Sequence, residues 1–419
     1  MISRILANKW GVAATAALLS LWFLTVTRVV HSRFQQDSDG LVVNSMVFAS
    51  EYGWAERGLL GLKLPGAQMI VDAIQLKQKS DYEPYASQFG LQGHILSAVA
   101  PKDAEARYQV YVVERFICAF LFSIVLLALF KSVFFEFGPL PAWLMLIGCC
   151  GSPWIAFMAG SVYWMSCLLF APFVFSWCCY DRYRDSGRLI TFYAILLGLF
   201  ALKFLCGYEY ITVVALLPIV RIVYSEVLAG SPWSRILRIS GVTLVVSMLG
   251  FGIAVGFHLI ACRAEFGSWQ KAKEVIVARM LFRVSNVPDH SLDKPGAQAA
   301  PLPPLNSVPE TVSIYAMKPT FGPLPLVIEL AAILAGIGYY SSRARKRRSD
   351  QPKLRALGYA SLAAAIATFS WFFLAYNHTA IHAHINPILF FLPLYPVLFI
   401  LLGASVRAAS SNQISLSSD

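Results

Sequence analysis

Long apolar runs recur along this chain, and they constrain its fold more than any other feature of the sequence. Several runs reach about 18–22 residues, enough for a helix to cross a hydrocarbon core of about 30 Å. A membrane span has to pair its backbone hydrogen bonds internally, so these runs predict helices. Because 57% of the 419 residues are hydrophobic and 14% are charged, we predict an all-α polytopic membrane protein with one integral-membrane domain, residues 1–419.

Lys and Arg cluster in alternate loops between the apolar runs, which predicts about ten transmembrane helices with both termini on the cytoplasmic side. Two large outer loops are expected at 31–112 and 262–322, and a basic cytoplasmic loop at 341–356. The predicted spans are Gly11–Val30, Val113–Phe130, Ala142–Ala159, Val162–Tyr180, Leu189–Cys206, Ile211–Val227, Ile239–Ala261, Pro323–Tyr340, Leu357–Tyr376 and Pro387–Val406.

The net charge of +11 follows largely from this orientation signal, so it does not indicate nucleic-acid binding. No basic tract is interleaved with aromatic residues on a soluble segment. In the predicted topology, all 7 His and most carboxylates lie on or near the outer face. Polar chemistry is therefore expected on the non-cytoplasmic side.

The segment that follows the first span reads HSRFQQDSDG and carries Asp37 and Asp39. On an extended segment, two carboxylates at this spacing point the same way. They suit either a general base with an orienting partner or a divalent cation. The alternative is a solvated polar loop. We favour Asp39 as the base, because Gly40 beside it permits close approach of a substrate.

The rest of the first outer loop is not linker-like. Residues 68–79 have the periodicity of an amphipathic helix on a membrane surface. Tyr85, Gln88 and Gln92 offer neutral hydrogen bonds that suit sugar hydroxyls, although an ordinary packed loop has the same composition. Trp164, in a segment with Trp154 and Tyr163, fits either an interfacial aromatic belt or stacking against a sugar.

The short outer turn after the fifth span contributes Lys203, Tyr208 and Glu209. Lys203 lies about one turn inside the membrane, where a charge is costly and is a functional candidate. It either extends outward to the interface or faces the bundle, where it would meet a phosphate or Glu209. Tyr208 and Glu209 are candidates for sugar or acceptor contacts.

The second outer loop is predicted to form a basic amphipathic helix over 268–283 that includes Arg279 and Arg283. Such a helix either binds the phosphate of a lipid carrier or makes nonspecific headgroup contacts. His378, His382 and His384 follow the ninth span and suit phosphate or sugar contact, or structural packing. Their spacing is not a zinc pattern, and we assign no metal site to them.

This arrangement resembles the GT-C superfamily of membrane glycosyltransferases: an acidic site after the first span, a long outer loop with a surface helix, then a second outer loop with basic residues. The resemblance implies transfer of a sugar from a polyprenyl-phosphate carrier to a glycan, lipid or surface-protein acceptor on the outer face. It implies a base at Asp39 or Asp37 and phosphate contacts at Lys203, Arg279, Arg283 and the three His. The WWDYG-type signature of the oligosaccharyltransferase branch is absent, which favours donors that carry a single sugar.

The resemblance also implies a site facing the periplasm of a bacterial inner membrane. No cofactor is required for a lone carboxylate base, while an acidic pair permits a divalent cation at Asp37 and Asp39. Two other functions share these features. One is a transporter or flippase of a lipid-linked sugar, and the other is a non-catalytic component of envelope glycan assembly.

Overall fold

A computed structural model describes residues 9–34, 38–63, 79–284, 308–320, 324–344, 350–375, 378–379 and 385–416, and within these ranges the protein is a bundle of helices. In chain order they are α1 (Lys9–Phe34), α2 (Asp39–Tyr52), α3 (Leu91–Ala98), α4 (Ala104–Phe137), α5 (Pro139–Cys150), α6 (Pro153–Ala159), α7 (Ser166–Asp185), α8 (Leu189–Cys206), α9 (Ile211–Leu228), α10 (Trp233–Phe266), α11 (Trp269–Val284), α12 (Val308–Ala316), α13 (Leu326–Ala344), α14 (Gln351–Leu374) and α15 (Leu394–Leu416).

Among the described residues, 5 helices are long and apolar enough to cross a membrane, namely α4, α8, α9, α10 and α14. The pair formed by α5 and α6 brings the number to 6 if it is one span bent by 73°. The prediction of an all-α membrane protein is confirmed at this level. The count of about ten spans stays a prediction.

The bend between α5 and α6 interrupts the third predicted span. Gly151 and Ser152 separate the two helices, and Pro153 takes the first position of α6, where its missing N–H costs nothing. The Ser152 hydroxyl oxygen accepts a hydrogen bond from the Ile155 N–H at 3.4 Å and so caps α6. A continuous apolar run therefore folds as a broken helix, because its centre carries both a helix stop and a helix start.

Other boundaries also differ from those expected. The last predicted span begins as a 3₁₀ helix over Asn386–Phe391, and α15 follows it. Helix α4 begins at Ala104, inside the predicted first outer loop. The Asp103 carboxylate caps it by accepting a hydrogen bond from the Ala106 N–H at 2.8 Å. The predicted basic loop is shorter than 341–356, because α13 runs to Ala344 and α14 begins at Gln351.

The bundle is held together by long helix pairs. Helix α9 packs along α14 and α7, α10 packs along α8, and α4 packs between α1 and α7. Glycines permit the closest contacts: a Cβ on Gly148 of α5 would collide with the Phe399 ring of α15. A Cβ on Gly403 would lie 2.6 Å from Pro141 Cα. Small residues at such contacts let helix backbones approach in a membrane, where no hydrophobic force drives helices together.

The segment predicted to be the first outer loop contains more structure than the sequence indicated. Asp39 begins helix α2 and is not part of an extended acidic segment, so the expected geometry of two parallel carboxylates is wrong for Asp39. Strands β1 (Gly61–Lys63) and β2 (Glu83–Tyr85) pair antiparallel, with Gly61 opposite Tyr85. Of the predicted surface helix over 68–79, all but Lys79 lies outside the described residues. The basic helix predicted over 268–283 is present as α11.

Candidate functional site

The carboxylate of Asp39 lies at the centre of a buried polar cluster, with 1% of its surface exposed. Its Oδ1 accepts hydrogen bonds from the Ser161 hydroxyl at 2.6 Å and from the Tyr163 N–H at 3.0 Å. Its Oδ2 accepts one from the Tyr111 hydroxyl at 2.9 Å. The first turn of α2 is thereby joined to α4 and to the loop between α6 and α7.

Arg115 provides positive charge beside this carboxylate. It follows Tyr111 by one helical turn on α4, so the two side chains share a face, and its guanidinium lies 5.7 Å from the Tyr111 ring centroid. Arg115 Nε donates to the Gly160 carbonyl oxygen at 3.3 Å. Arg115 is itself buried, so the loop after α6 is held between a cation and an anion.

Burial dominates the electrostatics of Asp39. The loss of water around the carboxylate raises its pKa above the usual range, because desolvation disfavours the charged form. The Ser161 hydrogen bond and the Arg115 charge oppose this rise without cancelling it. A carboxylate with a raised pKa is a better proton acceptor near neutral pH than an ordinary aspartate.

Tyr163 connects Asp39 to the residues expected to contact a sugar. Its hydroxyl donates to Glu209 Oε1 at 2.8 Å and lies 3.3 Å from Gln88 Oε1. The Tyr85 side chain also lies near the Tyr163 hydroxyl. Gln92 Nε2 donates at 3.0 Å to the Tyr163 carbonyl oxygen. Tyr85, Gln88, Gln92 and Glu209 are all predicted from the sequence, and the structure brings them together.

Lys203 faces the interior of the bundle, and its side chain is buried. Its ammonium donates to the Gly207 carbonyl oxygen at 2.8 Å, at the end of α8. Gln92 reaches the same turn by donating to the Cys206 carbonyl oxygen at 3.0 Å. Glu209 and Gln88 leave little room for a side chain at residue 207, because a Cβ there would lie 2.5 Å from Glu209 Oε2 and 2.8 Å from Gln88 Oε1.

A row of aromatic side chains extends the cluster toward His378. The Trp164 ring stacks on Tyr210 with centroids 5.4 Å apart. Tyr210 meets the edge of Trp371 at 5.5 Å, and Trp371 meets His378 at 5.9 Å. Since Trp164 and Tyr210 are buried, the interpretation of Trp164 as part of a lipid-facing aromatic belt is not favoured.

Two residues beside this cluster have left-handed backbone conformations that side chains other than glycine rarely adopt. Met165 has φ 47° and Tyr210 has φ 62°. Each lies directly before a helix, α7 and α9 respectively, at the end of a loop that contributes to the cluster. Such conformations cost about 1–3 kcal/mol and concentrate at functional sites, where the surrounding packing maintains them.

Some predicted site residues lie apart from the cluster or outside the described residues. The Tyr208 hydroxyl points to α10, where it donates to the Ala254 carbonyl oxygen at 3.2 Å and lies 3.2 Å from His258 Nδ1. Arg279 is on α11, whose apolar side packs on Leu60 and on the end of α10. Outside the described part of the chain are Asp37, His382, His384 and the side chain of Arg283.

Sequence reasoning missed Tyr111, Arg115 and Ser161 as site residues. A signal for Arg115 was present, because a charge inside an apolar span is a functional candidate by default. Its position near the start of the second predicted span is equally typical of a residue at a membrane interface. Ser161 and Tyr111 carry no such signal, since a hydroxyl in a loop or on a helix is common.

The cluster also contains polar atoms without a hydrogen-bond partner among the described residues. They are Arg115 Nη2, Gln92 Oε1 and Trp164 Nε1, and each is buried. Buried polar groups are nearly always paired, so three unpaired atoms in one cluster point to a polar ligand or water there. No group of three or more His, Cys, Asp and Glu side chains suited to a metal occurs within the described ranges.

Comparison of the chain with protein-family models, with curated proteins and with solved structures gives no match.

Proposed function

We propose that this protein is a membrane glycosyltransferase that moves a single sugar from a polyprenyl-phosphate carrier to an acceptor hydroxyl. The observation that carries the proposal is the buried Asp39 carboxylate. Three hydrogen bonds fix its position, and Tyr163 connects it to Glu209 and Gln88. A proton acceptor and a set of polar groups suited to sugar hydroxyls therefore occupy one end of a membrane bundle.

In this mechanism Asp39 is the general base. Its Oδ2 accepts one hydrogen bond where Oδ1 accepts two, so Oδ2 has the lone pair available for a proton. The acceptor hydroxyl transfers its proton to Asp39 as its oxygen attacks the anomeric carbon. The new glycosidic bond forms while the bond from carbon to phosphate oxygen breaks, which inverts the configuration at that carbon.

The leaving group is the polyprenyl phosphate, which gains one negative charge as the bond breaks. Arg115 and Lys203 are the buried cations of the described part of the cluster that stabilise this charge. Arg115 Nη2 is the donor best suited to the phosphate, because it has no protein partner among the described residues. Membrane burial of the polyprenyl chain positions the donor, so that little translational freedom remains to be lost.

The proposal includes an orientation. Helix α4 carries Tyr111 and Arg115 near one end. Its other end lies on the side of the bundle that is rich in Arg, so the Asp39 cluster faces away from that side. By the positive-inside rule, the Arg-rich side is cytoplasmic and the site opens to the periplasm of a bacterial inner membrane.

A turnover assay with defined donors tests the proposal. Full-length protein in lipid nanodiscs is incubated with a panel of polyprenyl-phosphate hexoses and pentoses labelled in the sugar. The measurement is the release of free polyprenyl phosphate. We expect release with at least one donor and a loss of about 10²–10⁴-fold in Asp39→Asn, the usual contribution of a general base.

The matched control is Glu51→Gln, which neutralises an exposed carboxylate on the same helix. It should release polyprenyl phosphate at the wild-type rate. If Asp39→Asn folds and also keeps the wild-type rate, the enzyme mechanism is wrong. If no donor is turned over but labelled donor moves across the bilayer, the protein is a flippase, and this proposal fails.

A further inference from the structure

A second polar site lies at the opposite end of the bundle. It is a pocket of about 330 Å³ where the end of α4, the start of α14 and the middle of α15 meet. From Tyr111 to Phe135, helix α4 rises about 36 Å, roughly a bilayer thickness, so the pocket and the Asp39 cluster face opposite sides of a membrane. The pocket is lined in part by Phe135, Glu136, Gly138, Asp350, Lys353 and Arg407.

The guanidinium of Arg407 is held in place by the end of α4. Arg407 Nη1 donates to the Phe137 carbonyl oxygen, which is one of the helix-end carbonyls that lack an intrahelical partner. Gly138 ends α4 with φ 92°, and a Cβ there would lie 2.5 Å from Arg407 Nη1. A side chain at residue 138 would therefore displace the guanidinium from its present position against the end of α4.

The pocket presents both signs of charge. Lys353 and Arg407 provide cations, and both side chains are exposed. Glu136 and Asp350 provide carboxylates, and Glu136 Oε2 also accepts a hydrogen bond from Arg221 Nη1 at 2.6 Å. A simple anion would be attracted by the cations but repelled by the carboxylates. A ligand with a phosphate and an ammonium group complements both.

The mouth of the pocket is apolar. Phe135 is 68% exposed, and it lies at the end of a helix that is long and apolar enough to span a membrane. Exposed aromatic side chains at such positions lie at the level of lipid headgroups. An amphiphile with its charged group in the pocket and its apolar part against Phe135 and the outer surface of α4 satisfies both surfaces.

We propose that this pocket binds the phosphoethanolamine headgroup of a membrane phospholipid. Arg407 and Lys353 contact the phosphate, Asp350 contacts the ammonium, and the acyl chains lie beside Phe135. The site is independent of the Asp39 cluster, so its occupancy does not require the proposed transferase activity.

Native mass spectrometry of the full-length protein in mild detergent tests the proposal, with dioleoyl phosphatidylethanolamine and dioleoyl phosphatidylglycerol as probes. We expect phosphatidylethanolamine to be retained at least about tenfold more tightly than phosphatidylglycerol. Arg407→Gln and Lys353→Gln should each weaken its binding about tenfold. Asp350→Asn should weaken phosphatidylethanolamine and leave phosphatidylglycerol unchanged.

Arg355→Gln is the matched control, because Arg355 is an exposed cation on α14 that does not line the pocket. It should leave binding unchanged. Equal loss in Arg355→Gln and Arg407→Gln would indicate nonspecific attraction and overturn the proposal. Equal or tighter binding of phosphatidylglycerol would also overturn it. Displacement of the lipid by soluble phosphoethanolamine at equal concentration would assign the pocket to a soluble phosphate ester and refute the lipid as its ligand.

Discussion

The hydrogen bonds to Asp39 predict a sharp difference between two substitutions at that position. Asp39→Ala leaves three buried donors without an acceptor: the hydroxyls of Tyr111 and Ser161 and the N–H of Tyr163. Each buried donor left unpaired costs about 1–3 kcal/mol. The sum is about 3–9 kcal/mol, and since single substitutions seldom exceed about 5 kcal/mol, we expect a loss of about 3–5 kcal/mol.

Asp39→Asn has the same shape and keeps most of these contacts. Its amide oxygen still accepts from Ser161 and from the Tyr163 N–H, and its NH₂ donates to the Tyr111 hydroxyl, which can also accept. The variant loses the attraction to Arg115 but no longer buries a charge. We therefore expect its free energy of unfolding to fall by no more than about 1.5 kcal/mol.

Reversible unfolding in mixed micelles, followed by the fluorescence of the 10 Trp residues, measures both values. Glu51→Ala, an exposed carboxylate on the same helix, is the control and should change stability by less than about 0.5 kcal/mol. If Asp39→Asn unfolds as easily as Asp39→Ala, the negative charge and not the hydrogen-bond geometry holds the cluster together. If neither variant is destabilised, the burial of Asp39 is wrong.

The raised pKa of Asp39 predicts the sign of a pH dependence. A folded-state pKa above the unfolded value of about 3.9 means that the folded protein holds this proton more tightly. The contribution of Asp39 to stability is then fully present below the unfolded pKa and declines as the pH rises through the folded pKa. Asp39→Asn should remove this slope, and an unchanged slope would contradict the raised pKa.

Two further predictions concern packing and buried charge. Gly148→Ala should destabilise the protein by about 1–3 kcal/mol, because the new methyl group collides with Phe399. Gly198→Ala, with nothing within 4 Å, should be neutral or slightly stabilising, and equal effects would contradict the close contact between α5 and α15. Arg221→Met removes the guanidinium that contacts Glu136 at 2.6 Å and Asp181 at 2.5 Å, while Asp181 keeps its contact with Arg184 at 3.2 Å. Because both carboxylates are partly exposed to solvent, thermal unfolding should report a loss of about 1–3 kcal/mol. Arg238→Met, at an exposed position on α10, is its control, and a similar loss there would refute the ion-pair argument.

Much of the candidate site was within reach of the sequence. Lys203 was identified because a charge inside a membrane span is costly and is a functional candidate, and Glu209 because it lies in the short turn beside Lys203. Gln88 and Gln92 were identified because their amides suit sugar hydroxyls. Asp39 was identified by its position after the first span. These inferences depend on local features, namely residue type and distance from a span, and local features can be read along a chain.

The sequence by itself determined the all-α membrane class, because hydropathy decides which segments leave water and the need to pair backbone groups then makes them helical. It did not determine which polar groups meet. The hydrogen bonds that join Asp39 to Tyr111 and to Ser161 cross 72 and 122 residues of chain, and nothing in the local pattern encodes such separations. Only the packing of α2 against α4 and the loop after α6 brought these groups together and buried them, and burial is what raises the pKa of Asp39.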